Sequence, residues 1–268
     1  MRVTLLGTMG WMPCERRETT CLACRDEDSL LIFDAGTGLR RLLEPAQAAL
    51  LEDGPEVHLF LTHYHLDHVC GLAYLPGVLP DRRVTIHAPA AGITGIDPEA
   101  AVAGLLRRPY NPRDWEELRD LRVAALAPGA NAIAGHLVGV RPQKHSDVSV
   151  AYRLDDAFVM ATDTRADPGT AEFSAGVGLL LHEAWYDAAA AQTGEMPAEL
   201  PPGFAAHSEA GAVARLAAAA DVGRLVLIHL NPAYDETYYT AMAATARAAF
   251  PRTEVRGDGE VVDTSRGI

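Results

Sequence analysis

Apolar residues in this chain fall in short blocks bounded by charged, Gly or Pro positions, the pattern of buried strands. Val3–Leu6 is such a block and ends at Gly7. Thr19–Ala23 and Ser29–Phe33 predict a strand pair joined by the charged turn Arg25-Asp26-Glu27-Asp28. Phe33 runs into the turn Asp34-Ala35-Gly36-Thr37-Gly38, and Leu39 to Leu51 has a helical pattern. Val57–Leu61 predicts a strand that stops at Thr62, and Val84–Ala88 another. Asp97 is suited to cap a helix reaching about Arg107. In the second half Val138–Val140, Val148–Leu154 and Ala157–Ala161 predict strands, the last two as a hairpin through Asp155-Asp156. Leu179–His182 and Arg224–Ile228 predict two more, with helices over Glu209–Ala220 (capped by Ser208) and Glu236–Ala249. Strands come first, mixed units follow, and the pattern recurs. This suggests an α/β fold of two sheets with helices outside them, not one parallel sheet. No linker, charge block or repeat divides the chain, so residues 1–268 read as one domain.

Composition narrows the class. The 268 residues are 49% hydrophobic, enough for a sizeable core and too many for a disordered chain. No apolar run reaches the roughly 18 residues needed to span a bilayer. The start, MRVTLLGTMG, lacks a signal-peptide pattern, so a cytoplasmic location is expected. Asp and Glu (36) outnumber Lys and Arg (23), giving a net charge of −13, which lowers the expectation of a long nucleic-acid footprint. Cys21 and Cys24 form a CxxC with no second pair, inside a segment that alternates like a strand, and read as ordinary strand residues.

The chemistry is concentrated in Thr62-His63-Tyr64-His65-Leu66-Asp67-His68, at the end of an apolar strand. Extended backbone puts His63 and His65 on one side. A helix starting near Leu66 turns Asp67 and His68 back toward the same point. Imidazole and carboxylate are natural ligands of Zn2+ and similar ions, and two ligand pairs this close could serve two metals. His145 lies between two predicted strands, Asp163 just after one, and His229 at the end of another, where catalytic groups usually sit.

HxHxDH followed by His, Asp and His in this order resembles the metallo-β-lactamase superfamily over nearly the whole chain, with Asp34–Gly38 similar to its first motif. The resemblance implies a four-layer αβ/βα sandwich of two mixed sheets with the metals at one edge. It implies that His63, His65 and His145 bind one ion, that Asp67, His68 and His229 bind a second, and that Asp163 bridges them. The ions would be zinc, with manganese or iron as alternatives. A hydroxide held between the metals would then be the nucleophile.

Two further segments, Leu181-His182-Glu183-Ala184-Trp185-Tyr186 and Ala206-His207-Ser208-Glu209-Ala210, resemble the branch containing ribonuclease Z and the cyclic phosphodiesterase of phosphonate breakdown. That likeness implies that His207 contacts the scissile phosphate or protonates the leaving oxygen, oriented by Glu183. Asp67, His207 and Glu183 are thus the candidate catalytic residues. Where ribonuclease Z has Thr, Gly and Thr, this chain has Trp185, Ala206 and Glu209. The segment between His68 and His145 also lacks a Gly/Pro- and Lys-rich arm for gripping tRNA, and Lys144-His145-Ser146-Asp147 replaces a common Asn-His-Pro-Gly-Gly. Asp34–Arg40 and His229-Leu230-Asn231-Pro232-Ala233-Tyr234-Asp235-Glu236 are closer to stand-alone bacterial hydrolases.

The expected activity is therefore metal-dependent hydrolysis of a phosphodiester, small or cyclic or RNA-derived. The alternative is a lactone, thioester or other carboxylic ester at the same metals, for which His207 would be dispensable. A flavodiiron oxidoreductase would need a flavin domain that does not fit, a secreted β-lactamase would need a signal, and a non-catalytic metal binder would show a lost ligand. The partner expected is a small or short substrate with no membrane, and since relatives often dimerise, a homodimer is compatible with the resemblance. His182 is expected to be buried or behind the site. His58, His87 and His136 lie outside the motifs, and the loop Arg107–Arg113 reads as a solvated connection.

Overall fold

The computed structural model describes residues 1–188 and 205–266. Its strands are β1 (Arg2–Gly7), β2 (Cys21–Arg25), β3 (Ser29–Phe33), β4 (Glu56–Phe60), β5 (Val84–Pro89), β6 (Leu121–Leu126), β7 (Gly129–Ile133), β8 (His136–Gln143), β9 (Ser149–Leu154), β10 (Phe158–Ala161), β11 (Leu179–Glu183), β12 (Arg224–Ile228), β13 (Thr253–Val255) and β14 (Val261–Asp263). They form two sheets, ordered β14-β1-β2-β3-β4-β5-β6 and β13-β12-β11-β10-β9-β8-β7. In each, an antiparallel portion (β1–β3; β7–β10) passes into a parallel one (β3–β6; β10–β13). This is the four-layer metallo-β-lactamase sandwich.

Alternation along the strands explains the layering. Val3, Leu22, Leu31, Phe33 and Phe60 of the first sheet meet Tyr152, Phe158, Met160, Leu181 and Val226 of the second in one inner core. Phe33 stacks on Phe60 at 4.9 Å and meets Phe158 edge-on at 5.2 Å. The opposite faces carry separate cores beneath the helices. Cys21 and Cys24, three apart on β2, fall in different cores, so this CxxC presents no joint site.

All the predicted strands are present, and four other features depart from expectation. Leu39–Leu51 forms two 3-10 segments, Thr37–Leu43 and Pro45–Leu50, because Pro45 cannot continue a helix through Glu44. Helix Ala210–Ala219 is capped by the Glu209 carboxylate, which accepts from the Gly211 and Ala212 N–H groups, and not by Ser208. Ser208 instead donates its hydroxyl to the Thr164 carbonyl at 2.7 Å. Strands β6 and β7 were not anticipated, being half-exposed edge strands without an apolar block. Nor were the three-residue β13 and β14. Asp97 does cap helix Pro98–Leu105, accepting from the Ala100 N–H at 2.8 Å. Among the described residues no helix is long and apolar enough to cross a membrane.

Candidate metal centre

The parallel strands of both sheets end on one side of the sandwich, and the loops leaving them carry the site. His63 follows β4, Asp163 follows β10, Glu183 ends β11 and His229 follows β12. Two bonds lock the sheets together just beneath: the Tyr152 hydroxyl donates to the Leu61 carbonyl, and the Val150 N–H to the Thr62 carbonyl at 3.0 Å. The chain bends into helix Leu66–Val69 immediately after His65, which returns Asp67 and His68 to the cluster. The helix can approach the Asp34–Gly38 loop this closely because residue 71 is glycine, whose Cβ would lie 2.4 Å from the Gly36 carbonyl oxygen.

All seven sequence-predicted ligands converge. The Asp163 carboxylate stands between two sets. Its Oδ1 is 3.1 Å from His145 Nε2 and 3.9 Å from His63 Nε2, and its Oδ2 is 3.0 Å from His68 Nε2 and 3.1 Å from His229 Nε2. Asp67 Oδ2 closes the second set at 3.2 Å from His68 Nε2 and 3.4 Å from His229 Nε2. Ligand atoms about 2.0–2.1 Å from a Zn2+ ion lie roughly 3.3 Å apart along a tetrahedral edge. The close N···O separations match that spacing. The donor atoms of His63, His65, His145 and Asp163 all lie within 4.8 Å of one another, as do those of Asp67, His68 and His229. Among the described residues, buried His63 Nε2 and His68 Nε2 have no well-aligned hydrogen-bond partner, a costly arrangement that a cation relieves. This donor set fits divalent metal binding.

A second layer of partners fixes the imidazoles. His68 Nδ1–H donates to Asp34 Oδ2 at 2.7 Å, and Asp34 Oδ1 accepts from the Thr62 N–H at 2.8 Å. His63 Nδ1 meets the Thr62 hydroxyl at 3.1 Å, and His65 Nε2 meets Asp147 Oδ2 at 2.8 Å, so Nδ1 is the His65 ring nitrogen not engaged by Asp147. Asp34, Asp163 and His229 have φ of 59°, 50° and 48°, in the left-handed region that is uncommon for residues with a Cβ. Such backbone recurs at functional sites, and here it aims three side chains into one place.

Burial and charge set the protonation states. Burial holds His63 well below the ordinary imidazole range, with His68 adding to the effect. Burial lowers His145 to about 4. For His68 burial is outweighed by Asp67, Asp163 and Asp34, which raise it well above its ordinary value. Burial likewise opposes ionisation of Asp67, but His68 and His229 outweigh it and hold the carboxylate charged.

His207 and Glu183 form a separate pair. His207 Nδ1 is 2.7 Å from Glu183 Oε2, and Glu183 Oε1 accepts from the Thr164 N–H. Burial raises Glu183 well above the carboxylate range and lowers His207, so desolvation drives both toward a neutral pair sharing one proton. Trp185 lies flat on the His207 ring at 4.3 Å, and His145 meets that ring edge-on at 5.0 Å. His207 thereby lines the same cavity of about 400 Å³ as His65, Asp67, His145 and His229.

The other histidines lie elsewhere. His182 is fully buried, its Nδ1 2.8 Å from the Glu183 carbonyl. His58 and His87 pair with each other at 2.9 Å between the sheets, and His136 bridges Asp26 and Asp155. In the loop Arg107–Arg113, Arg108 is held by Asp114 and Glu117, away from the cluster. The sequence reading did not name Asp34 and Asp147 as partners of the ligands, nor Trp11, Asn231 and Ala233 as lining the cavity.

Comparison with known proteins agrees with this geometry. Residues 30–230 match the family described as the beta-lactamase superfamily domain. A ribonuclease Z of Methanopyrus kandleri is 28% identical, covering 97% of each chain. The expectation against a long nucleic-acid partner, drawn from the net charge and from the missing Lys-rich arm, is partly at odds with this relative's name. The metallo-β-lactamase fold protein YhfI from Bacillus subtilis superposes with a TM-score of 0.74 at 20% identity, covering 98% of each chain. The short form of human tRNase Z gives 0.65 at 18% identity, covering 98% of this chain and 99% of that one. Fold, donor set and family match agree: the chain belongs to the β-lactamase superfamily and is a metal-dependent hydrolase.

Proposed function

We propose that this protein is a dinuclear phosphodiesterase acting on a small or cyclic phosphodiester, with residues 1–268 working as one catalytic domain. The observation that carries the reading is the placement of Asp163, each of whose oxygens faces its own histidine set. His63, His65 and His145 would hold one ion, Asp67, His68 and His229 the other, and Asp163 both; zinc suits this donor set. Divalent ions held there would supply a deprotonated water at neutral pH and would neutralise phosphate charge.

The remaining work falls to the chain itself. His207 faces the cavity with Nδ1 tied to Glu183, so Nε2 is the atom available to donate a proton to the leaving oxygen. Glu183 fixes the ring, and the proton it shares with Nδ1 can pass to that nitrogen as Nε2 releases its own, so the imidazole stays neutral and the carboxylate takes up the charge. Trp185 covers one face of the imidazole and keeps water from it. Asp67, held by the Trp11 N–H at 2.7 Å, keeps its carboxylate turned into the second ligand set.

The test is hydrolysis of bis(p-nitrophenyl) phosphate by zinc-, manganese- or iron-loaded protein, with His207→Ala alongside and metal content measured for both. Two ions per chain and turnover that falls at least about 100-fold in the variant, at unchanged metal content, are expected. No turnover with any of the three metals would overturn the reading. Efficient hydrolysis of a lactone or thioester that ignores His207→Ala would replace it with carboxylic-ester chemistry. Faster cleavage of a tRNA 3′ extension than of any small diester would move the substrate to RNA, as the ribonuclease Z relatives suggest.

A further inference from the structure

The cavity over the metal cluster has a wall that the chemistry above does not use. Trp11 lines it and is 67% exposed, whereas Trp185 on the same cavity is 7% exposed. The Trp11 backbone is tightly held. Its N–H donates to Asp67 Oδ2 at 2.7 Å, its φ is 61°, and the Gly10 N–H before it donates to the Leu230 carbonyl at 2.9 Å. The returning limb of the loop is tied by Cys14 N–H to the Arg17 carbonyl at 2.8 Å. Buried Arg17 in turn clamps onto Thr8, the Arg256 carbonyl and Glu236. A rigid backbone thus presents a large flat side chain to open solvent beside the reacting centre, at a left-handed φ that is rare for a bulky residue.

Among the described residues neither Lys nor Arg lines this cavity. A second phosphate on the substrate would find no counter-charge there beyond the metal ions. Flat apolar contact is what the walls offer, and base–aromatic stacking is the contact an exposed indole makes best. We infer that Trp11 is a stacking platform for a nucleobase adjacent to the scissile phosphate, so that the substrate class is a nucleoside-bearing monoanionic phosphodiester. This rests on the phosphodiesterase reading and adds to it the residue that selects the substrate.

Trp115, the third tryptophan, donates its indole N–H to Glu99 and lies outside this cavity, so a Trp115→Phe background leaves fluorescence to Trp11 and Trp185. Metal-loaded protein is titrated with AMP and, as the control without a base, ribose 5-phosphate. AMP should quench fluorescence and bind at least tenfold tighter than ribose 5-phosphate. Trp11→Ala should remove about tenfold or more of the AMP affinity, and Trp11→Phe should restore most of it. Equal binding of the two ligands, or a Trp11→Ala protein that binds AMP like the parent, overturns the proposal. In parallel, KM is compared for thymidine 5′-(p-nitrophenyl phosphate) and methyl p-nitrophenyl phosphate. The parent should prefer the nucleoside ester through KM, and Trp11→Ala should erase that preference. Trp11-dependent AMP binding without cleavage of either ester would sink the phosphodiesterase reading while leaving the stacking site standing. Cleavage of both esters with equal KM would do the reverse.

Discussion

His68 Nδ1 and Asp34 Oδ2 lie 2.7 Å apart, both fully buried, and this one bond joins the turn after β3 to the HxHxDH segment after β4. Asp34 also receives the N–H and hydroxyl of Thr62, so one carboxylate orients His68 and the strand end that precedes His63. Asp34→Asn keeps the size and tolerates φ of 59°, but it removes the charge that fixes the His68 tautomer. Zinc affinity is expected to fall roughly 10- to 100-fold with the fold retained. Competition with a chromophoric chelator measures the first, far-UV circular dichroism the second; unchanged affinity would remove Asp34 from the metal-supporting role.

Metal removal should lower thermal stability. Buried His63, His68 and His229 and half-buried His145 surround buried Asp163, and among the described residues His63 Nε2 and His68 Nε2 have no well-aligned hydrogen-bond partner. A ligand that binds only the folded chain at 100 times its Kd adds about 2.7 kcal/mol. For a chain of this size that corresponds to roughly 5–10 °C in Tm. Calorimetry with and without chelator checks it, and equal Tm values would mean that no ion couples to folding here.

Gly10 packs against the His229 ring. A Cβ at residue 10 would lie 2.5 Å from His229 Cε1 and 2.7 Å from Nε2. Gly10→Ala should therefore push His229 out of the second ligand set while leaving the first, built from His63, His65 and His145, intact. The expected result is loss of one of two bound ions per chain, read by metal analysis after dialysis. Two retained ions would show that His229 can move without leaving its ligand position.

How much of this was legible in the sequence divides by physical origin. His63, His65, Asp67 and His68 declared themselves because their donors are adjacent in the chain. His145, Asp163 and His229 stood out by residue type at strand ends, and their place in the cluster came from the family resemblance. Strands whose burial is one-sided or complete left apolar blocks, and were found. Strands β6 and β7 are half-exposed and left none. Asp34 stood in a noticed turn, yet its bond to His68 spans two strands and has no local signature. Trp11 was invisible for another reason: an exposed indole in a loop gains meaning only when the fold brings Asp67 and Trp185 beside it.

His136 joins the sheets through charge, and this bond should give stability a pH dependence of definite sign. Its Nε2 is 2.7 Å from Asp26 Oδ2, at the β2–β3 turn, and its Nδ1 is 2.7 Å from Asp155 Oδ2, at the β9–β10 turn. Burial disfavours the imidazolium, but the two carboxylates outweigh it and raise the His136 pKa above its ordinary value. The stabilisation is then fully present below the unfolded pKa of about 6.5 and is lost as pH rises through the higher folded value. At the acid end, Asp26 is opposed by burial but lowered by His136 and the Ser29 N–H, so its contribution persists until pH falls through that depressed value. His136→Gln keeps hydrogen-bonding capacity without the charge. Urea unfolding of the metal-free proteins should show a larger gap between parent and variant at pH 5.5 than at pH 8.5, and taking the gap cancels the titration of the clustered histidines, which both proteins share. A gap that is equal at both pH values, or larger at pH 8.5, would mean that His136 is neutral in the folded chain and that the two carboxylates bind it without charge.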